Sequence, residues 1–203
     1  MWVLIVLGVL ILFVVGFFVF AVGTITMEKP VIYLYPEEES RISVQLQLNG
    51  KVTQAIPKYE RGWNVFVTKD GLIDGKYDYL FYEADLNTLK LPKRGWVVSF
   101  DDLSKWFDLN LIKLGLNEKE KTQFKEYWMV RLPETNYYEI KVLESDFLIK
   151  NMNLLITPVP DTLIRLNFYF KPLLSEKSIK EPTIRTLERK GFTVVEWGGM
   201  VDN

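Results

Sequence analysis

The sequence of 203 residues contains no cysteine and no histidine. Their absence excludes disulfides, metal sites built on thiolate or imidazole ligands, and every mechanism that needs a cysteine nucleophile or a histidine base. Any catalysis would rest on carboxylates, lysines, tyrosines or hydroxyl groups. We expect no cofactor. The lack of cysteine does not assign a compartment, because cytosolic and exported domains both tolerate it.

Charge is missing from the first 27 residues, so all 25 Lys and Arg and all 26 Asp and Glu lie in residues 28–203. The net charge of −1 lacks the basic excess that is typical of nucleic-acid binding, and we expect no nucleic-acid partner. The polar part of the chain is long enough for about one domain.

The opening run MWVLIVLGVLILFVVGFFVFAVG has 23 residues without a charge. A membrane-spanning helix needs ~20 apolar residues, and a helix that is apolar on every face is hard to bury in a small domain. The run predicts a single-pass anchor over residues 1–27 that holds a domain of residues 28–203 at the cell membrane. Cleavage after the small residues Ala21 and Gly23 is the open alternative. Lys29 and Arg41 weakly favour a cytoplasmic domain by the positive-inside rule.

The stretch KPVIYLYPEEES follows at residues 29–40. Pro30 disfavours helical geometry at the residue before it, so the predicted anchor ends there. Val31–Tyr35 then alternates without a polar face, which indicates a strand covered on both sides. The alternative is a belt of interfacial tyrosines at the membrane surface.

The segment RISVQLQLNGKV alternates apolar and polar residues and ends in Asn49-Gly50, which predicts a half-buried strand entering a hairpin turn. A glycine and an aromatic residue precede an apolar run three times, in RGWNVFV at 61–67, RGWVVSF at 94–100 and KGFTVVEW at 190–197. The glycine fits a turn and the aromatic residue anchors the start of a strand.

Two helices interrupt the strands. Asp101 or Asp102 is the expected cap of DDLSKWFDLNLIKLG, and Asn117 with Glu120 has the spacing of a capping box for the helix that follows. Strand patterns resume after Pro133. The fold class expected is therefore α+β: an N-terminal transmembrane helix followed by one mostly antiparallel β domain with an inserted pair of helices.

Five segments together are similar to a functionally uncharacterised bacterial family whose members open on KPVIYLYP and end on VEWGG. They are KPVIYLYP, YDYLFYE at 77–83, LGLNEKE at 114–120, PVPDTLIR at 158–165 and VVEWGG at 194–199. Tyr82 stands where the family pattern has a tryptophan. The resemblance implies no activity, but it implies an exported or membrane-anchored protein whose domain is extracytoplasmic.

Glu83 and Glu196 each end an aromatic-rich apolar run, and two such carboxylates are able to form a glycosidase-like acid/base pair. Tyr79, Tyr82 and Trp197 are candidates to stack on sugar rings. The structural alternative is that each glutamate contacts a loop or pairs with Arg165 or Arg94.

Asp70, Asp74 and Asp78 lie four residues apart and are weak candidates for a calcium site, although Asp-Gly turns explain them better. Arg165 interrupts an apolar strand, which predicts a carboxylate partner, either Asp161 or Glu196. Arg165 is also a candidate ligand-binding residue, beside the three aromatic candidates. The function expected is binding of an envelope glycan or protein partner. The alternative is a carboxylate-dependent hydrolase acting on envelope sugar.

Overall fold

The computed structural model describes residues 25–202, which form ten strands and three helices. The strands are β1 (Ile25–Tyr35), β2 (Ser40–Leu48), β3 (Gly50–Ile56), β4 (Trp63–Val67), β5 (Leu80–Leu86), β6 (Trp96–Ser99), β7 (Tyr137–Val142), β8 (Met152–Thr157), β9 (Thr162–Leu173) and β10 (Thr193–Val201). The helices are α1 (Phe100–Lys113), α2 (Glu118–Arg131) and α3 (Ser145–Asn151).

Seven strands form the main sheet, in the order β3-β5-β1-β10-β9-β7-β6, and β4-β2-β8 form a second sheet. Every pairing is antiparallel except that of β9 with β10. One hydrophobic core lies between the two sheets, and another lies between the main sheet and helices α1 and α2. The main sheet is therefore covered on both faces.

The expected fold class is wrong in its helical part. The described chain is a mostly β domain with three helices, and none of the helices within residues 25–202 has the length and apolar character needed to cross a bilayer. The predicted anchor falls mainly on residues 1–24, outside the described residues. Its last predicted residues, 25–27, begin β1 and pair with β5.

The interpretation of Val31–Tyr35 as a covered strand is confirmed. β1 lies between β5 and β10, and Val31, Ile32, Tyr33 and Leu34 have no exposed surface. Alternate side chains enter different cores, since Ile32 and Leu34 face the second sheet whereas Val31 and Tyr33 face the helices. The Tyr33 hydroxyl donates a hydrogen bond of 2.7 Å to Gln123 of α2.

The predicted hairpin at Asn49-Gly50 is wrong, because β2 and β3 belong to different sheets. The chain changes sheets at this point, where the Asn49 amide donates to the Asn151 carbonyl oxygen. A Cβ at Gly50 would lie 1.9 Å from the carbonyl oxygen of Asp85, so glycine permits the close approach that starts β3 against β5.

The repeated glycine–aromatic pattern does mark strand starts, since β4, β6 and β10 begin within or directly after it. The capping box of Asn117 and Glu120 is also present. The first helix begins earlier than expected and is capped by Ser99, whose hydroxyl accepts from the Asp102 amide. Helix α3 has no predicted counterpart, because it is short and its N-cap Glu144 makes no side-chain capping bond.

Residues 174–192 connect the parallel strands β9 and β10 and contain no helix or strand; we call them the strap. The strap crosses the C-terminal end of α1, where Thr186 donates to the Lys113 carbonyl oxygen at 2.7 Å. Arg189 of the strap binds both Glu120 and the Gly115 carbonyl oxygen. Because Glu120 also caps α2 and is fully buried, this ion pair attaches the strap to the helical layer.

We predict that β1 is essential to the domain. A chain beginning at Ile25 should fold, whereas a chain beginning at Ser40 should not, because loss of β1 leaves its two neighbours without a partner and exposes both cores. The loss is several kcal/mol against a total stability of ~5–15 kcal/mol. Thermal melts followed by circular dichroism compare the two chains, and equal melting temperatures would show that the strand is dispensable.

Candidate functional site

A bulge interrupts β1 at Glu28–Val31, where its register with both β5 and β10 shifts. Lys29, in the bulge, has a φ of 55°, the left-handed conformation that non-glycine residues rarely adopt, and it precedes Pro30. A Cβ at Gly198 would lie 2.8 Å from the Pro30 Cα, so this glycine lets β10 pass the bulge. Left-handed non-glycine residues cost ~1–3 kcal/mol, and both they and bulges are enriched at functional sites.

The bulge directs the Lys29 ammonium into a group of aromatic rings. Its Nζ lies 5.2 Å from the Tyr79 ring centroid, 4.9 Å from that of Phe81 and 5.5 Å from that of Tyr127. It also donates a hydrogen bond of 3.2 Å to the Tyr79 hydroxyl. Each such cation–π contact is favourable by ~0.5–2 kcal/mol, so together they offset the backbone strain and fix the lysine.

Two carboxylates lie beside Lys29. Glu28 forms a bidentate ion pair with Arg131 of α2, with distances of 2.5 and 2.6 Å. Burial and the negative charge of Glu28 raise the pKa of Glu83, and the charge and backbone amide of Lys29 offset part of this rise. Burial, then the charges of Glu28 and Glu83, raise the pKa of Tyr127 to about 12. We call Glu28, Lys29, Glu83, Tyr127 and Arg131 the Lys29 cluster.

A groove of about 410 Å³ opens next to this cluster, and we call it the Tyr79 groove. The half-buried rings of Tyr77 and Tyr79 supply its aromatic surface. Its remaining lining residues are Lys29, Gln54, Ile56, Lys76, Asp78 and Phe81. The groove thus combines aromatic faces with an ammonium, an amide and a carboxylate, the usual composition of a small-ligand site.

Glu196 lies elsewhere, on the face of the main sheet that meets the second sheet. Its carboxylate is fully buried and accepts from the Tyr82 hydroxyl at 2.7 Å, Arg165 Nε at 2.8 Å and Asn167 Nδ2 at 2.8 Å. Arg165 Nη2 also donates to the Met152 carbonyl oxygen at 2.6 Å. The predicted Arg165–Glu196 pair is confirmed, and Asp161 instead accepts from the Phe192 amide.

The electrostatics of this buried network are those of a stable ion pair. Burial and the negative charge of Glu196 raise the pKa of Tyr82 well above its ordinary value, so its hydroxyl remains a donor. Burial alone would lower the pKa of Arg165, but the charge and hydrogen bond of Glu196 raise it overall. The network neutralises a carboxylate that has no access to water.

The structure does not bring Glu83 and Glu196 together. Tyr82 and Glu196 are bonded on one face of the main sheet, and Glu83, the next residue along β5, points to the opposite face. Both glutamates lie in the middle of their strands and not at the ends. The two carboxylates therefore do not face a common pocket.

The other sequence candidates divide between core and surface. Tyr82 and Trp197 are fully buried and have no exposed face for a sugar, whereas Tyr79 borders the groove. Asp70 accepts from the Thr68 hydroxyl, Asp74 from the Phe66 amide and Asp78 from Lys119. Within residues 25–202, no group of three acidic side chains is arranged to hold a metal ion.

Four residues of the Lys29 cluster were not predicted as site residues from the sequence: Glu28, Lys29, Tyr127 and Arg131. In the sequence, Lys29 is distinguished only by its position before a proline. Its left-handed conformation depends on contacts with β10, which the local sequence does not indicate. The spacing of Tyr127 and Arg131 by four residues, which places them on one face of α2, is the signal that was available.

Comparison with known proteins gives one partial relative. An uncharacterized protein in the bglA 3′ region of Butyrivibrio fibrisolvens is 51% identical in an alignment of 63 positions that covers 28% of this chain. The chain spans 66% of that protein's length. No family model and no solved structure matches the chain. The match supports a relationship to an uncharacterised protein, in agreement with the resemblance to an uncharacterised family; it does not test the individual motifs.

We predict that the Glu196 network stabilises the fold. Replacing Glu196→Gln leaves Arg165 without its counter-charge and should lower the free energy of unfolding by ~3–5 kcal/mol. Replacing Tyr82→Phe removes one donor to a charged acceptor and should cost ~1.5–3 kcal/mol. The double variant Arg165→Met, Glu196→Leu should recover part of the first loss.

Urea denaturation measures all three variants beside wild type. Glu126→Gln, a change at an exposed glutamate of α2, is the matched control and should leave the unfolding free energy nearly unchanged. Wild-type stability in Glu196→Gln would contradict a structural role for this carboxylate.

We predict that Glu83→Gln stabilises the protein at neutral pH. Because the pKa of Glu83 is raised on folding, the folded state holds this proton to a higher pH than the unfolded state does, so stability falls as pH rises through that range. Glutamine keeps an acceptor for the Lys29 amide but cannot ionise. The variant should therefore melt higher than wild type at pH 7.

The same advantage should disappear below pH ~4, where the carboxyl is protonated in both the folded and unfolded states. Melting temperatures from pH 4 to pH 7 test this, with Glu126→Gln as the control for loss of an exposed carboxylate. A lower melting temperature of Glu83→Gln at pH 7 would mean that the ionised carboxylate is needed for folding.

Proposed function

We propose that the protein is a binding module and that the Tyr79 groove takes a glycan of the cell envelope. The observation that carries the proposal is the half-buried Tyr79 ring beside the side chains of Gln54, Asp78 and Lys29. An aromatic ring offers an apolar face to the C–H groups of a sugar, and the polar groups beside it supply donors and acceptors for its hydroxyls.

The groove is preorganised for such a ligand. Lys29 and Tyr33 both fix Tyr79, Lys29 through the hydrogen bond to its hydroxyl and Tyr33 through an edge-on ring contact with a centroid distance of 5.4 Å. Fixing the ring before binding lowers the ordering cost of the complex. The volume of the Tyr79 groove, about 410 Å³, suits a small ligand better than a protein, since a stable protein interface buries ~800 Å² on each partner.

The alternative of a sugar hydrolase based on Glu83 and Glu196 has less support, because these carboxylates face different cores. Glu83 is the carboxylate nearer the groove, beside Lys29, but its neighbouring acid Glu28 is already held by Arg131. The location of the domain outside the cytoplasm stays a prediction that rests on the resemblance.

We predict that Tyr79→Ala weakens glycan binding by roughly tenfold or more, which corresponds to ~1.4 kcal/mol. Titrations with soluble chitotetraose, cellotetraose and maltotetraose, followed by NMR, identify the sugar that binds. Tyr79→Phe keeps the ring and should retain most of the affinity.

Phe66→Ala is the control, because Phe66 is an exposed aromatic residue of the second sheet that does not line the groove. A melting temperature for each variant separates loss of binding from loss of fold. Binding of none of the three sugars, or unchanged binding by folded Tyr79→Ala, would overturn the proposal.

A further inference from the structure

A second cavity lies near the opposite edge of the main sheet, between the segment before β6, the start of α3 and the strap. Its volume is about 680 Å³. Its lining contains four cations, Lys90, Lys93, Arg94 and Arg185, and a single acidic residue, Glu144. None of the four cations makes a salt bridge with any residue of the described chain. We call this space the basic cavity.

A groove of about 340 Å³ adjoins it, and we call this the apolar groove. Seven of its eleven lining residues are leucine or isoleucine, from α3, β9, the strap and the end of α1. Three of them are exposed to an extent unusual for such side chains, with Ile149 at 62%, Leu187 at 51% and Leu163 at 39%. Clustered exposed apolar residues mark binding surfaces more often than isolated ones do.

The two spaces are neighbours, because Leu114, Ser145 and Arg185 line both. Arg185 stands at the junction. Arg165 also borders the groove, but its guanidinium is occupied by Glu196 and the Met152 carbonyl oxygen. The surface is thus basic at one end and lined by hydrocarbon at the other.

We propose that this surface binds an anionic amphiphile of the fatty-acid class, with its carboxylate in the basic cavity and its hydrocarbon chain in the apolar groove. The charge of the basic cavity determines which head group it accepts. Four cations and one carboxylate in its lining favour an anion and disfavour a zwitterion or a cation. Arginine and lysine form their strongest hydrogen bonds with carboxylates.

The lining decides the tail. A hydrocarbon chain covers the exposed leucines and isoleucines, removes their apolar surface from water and requires no hydrogen bonds from the groove. This site is independent of the Tyr79 groove, which lies at the β3–β5 side of the main sheet, whereas the basic cavity includes Trp96 at the start of β6. Failure of one proposal leaves the other intact.

The test uses the full chain. Because residues 1–27 carry no charged side chain, the chain is kept in an uncharged detergent. The probe is a palmitic acid analogue with a photoreactive diazirine in its chain, and crosslinked peptides are mapped by mass spectrometry. Labelling should fall on peptides that contain Ile149, Leu163 or Leu187. Palmitic acid should displace the probe, whereas hexadecanol, which has the same chain without the charge, should not.

The triple variant Lys90→Gln, Lys93→Gln, Arg185→Gln should reduce labelling by about tenfold or more, because it removes charge-assisted contacts to the head group. The triple variant Lys51→Gln, Lys58→Gln, Lys69→Gln removes the same charge from exposed lysines elsewhere and should label as wild type does. Leu163→Gln should reduce labelling through the tail. Both triple variants should keep the wild-type melting temperature, because all six side chains are exposed.

Three results would each overturn the proposal. Labelling outside these peptides, or no labelling, would show that the groove does not hold the chain. Equal displacement by hexadecanol would show an apolar patch without recognition of charge. Wild-type labelling of the Lys90, Lys93, Arg185 variant would show that the basic cavity does not hold the head group.

Discussion

The buried charge of Glu196 is the constraint on which the centre of the structure depends. β10 is covered on both faces, so a carboxylate on this strand cannot reach water and must be neutralised by protein groups. Its cation comes from β9 in direct register, since Glu196 pairs with Arg165 across the parallel ladder. A shift of one residue between these strands would move the two side chains to opposite faces. The ion pair therefore specifies the one parallel pairing among the described strands.

The two faces of the main sheet differ in the chemistry of the polar groups near its centre. The face toward the second sheet encloses the Glu196 network, whose carboxylate is fully satisfied and has no opening to solvent. The face toward the helices carries the bulge, where Lys29 lines a groove and lies beside Glu83. The buried carboxylate serves stability, and the strained and partly exposed groups are the ones available to a ligand.

Local pattern in the sequence was sufficient for much of the fold. Alternation located β2 and the Val31–Tyr35 part of β1, the capping box located α2, and the interruption of an apolar strand by Arg165 predicted a carboxylate partner. These features depend on residues close in sequence or on a buried charge that requires compensation. The sheet change at Asn49-Gly50 could not be read in this way, because the dipeptide suits a hairpin and only the distant contacts with Asp85 and Asn151 decide otherwise. The Lys29 cluster was hidden for the same reason, since the bulge depends on Gly198 and the aromatic rings come from β5 and α2.

The pairing of β1 with β10 has a consequence for how the chain folds. These central strands come from opposite ends of the described sequence, with Val31 opposite Trp197. Contacts between residues so far apart in sequence require the closure of large loops, which costs conformational entropy before the contacts become favourable. Proteins rich in such contacts fold slowly. During synthesis β1 emerges before β10, and the β1 edge that pairs with β10 stays unpaired until β10 has been made. We therefore expect nascent chains of this domain to depend on chaperones for protection against aggregation.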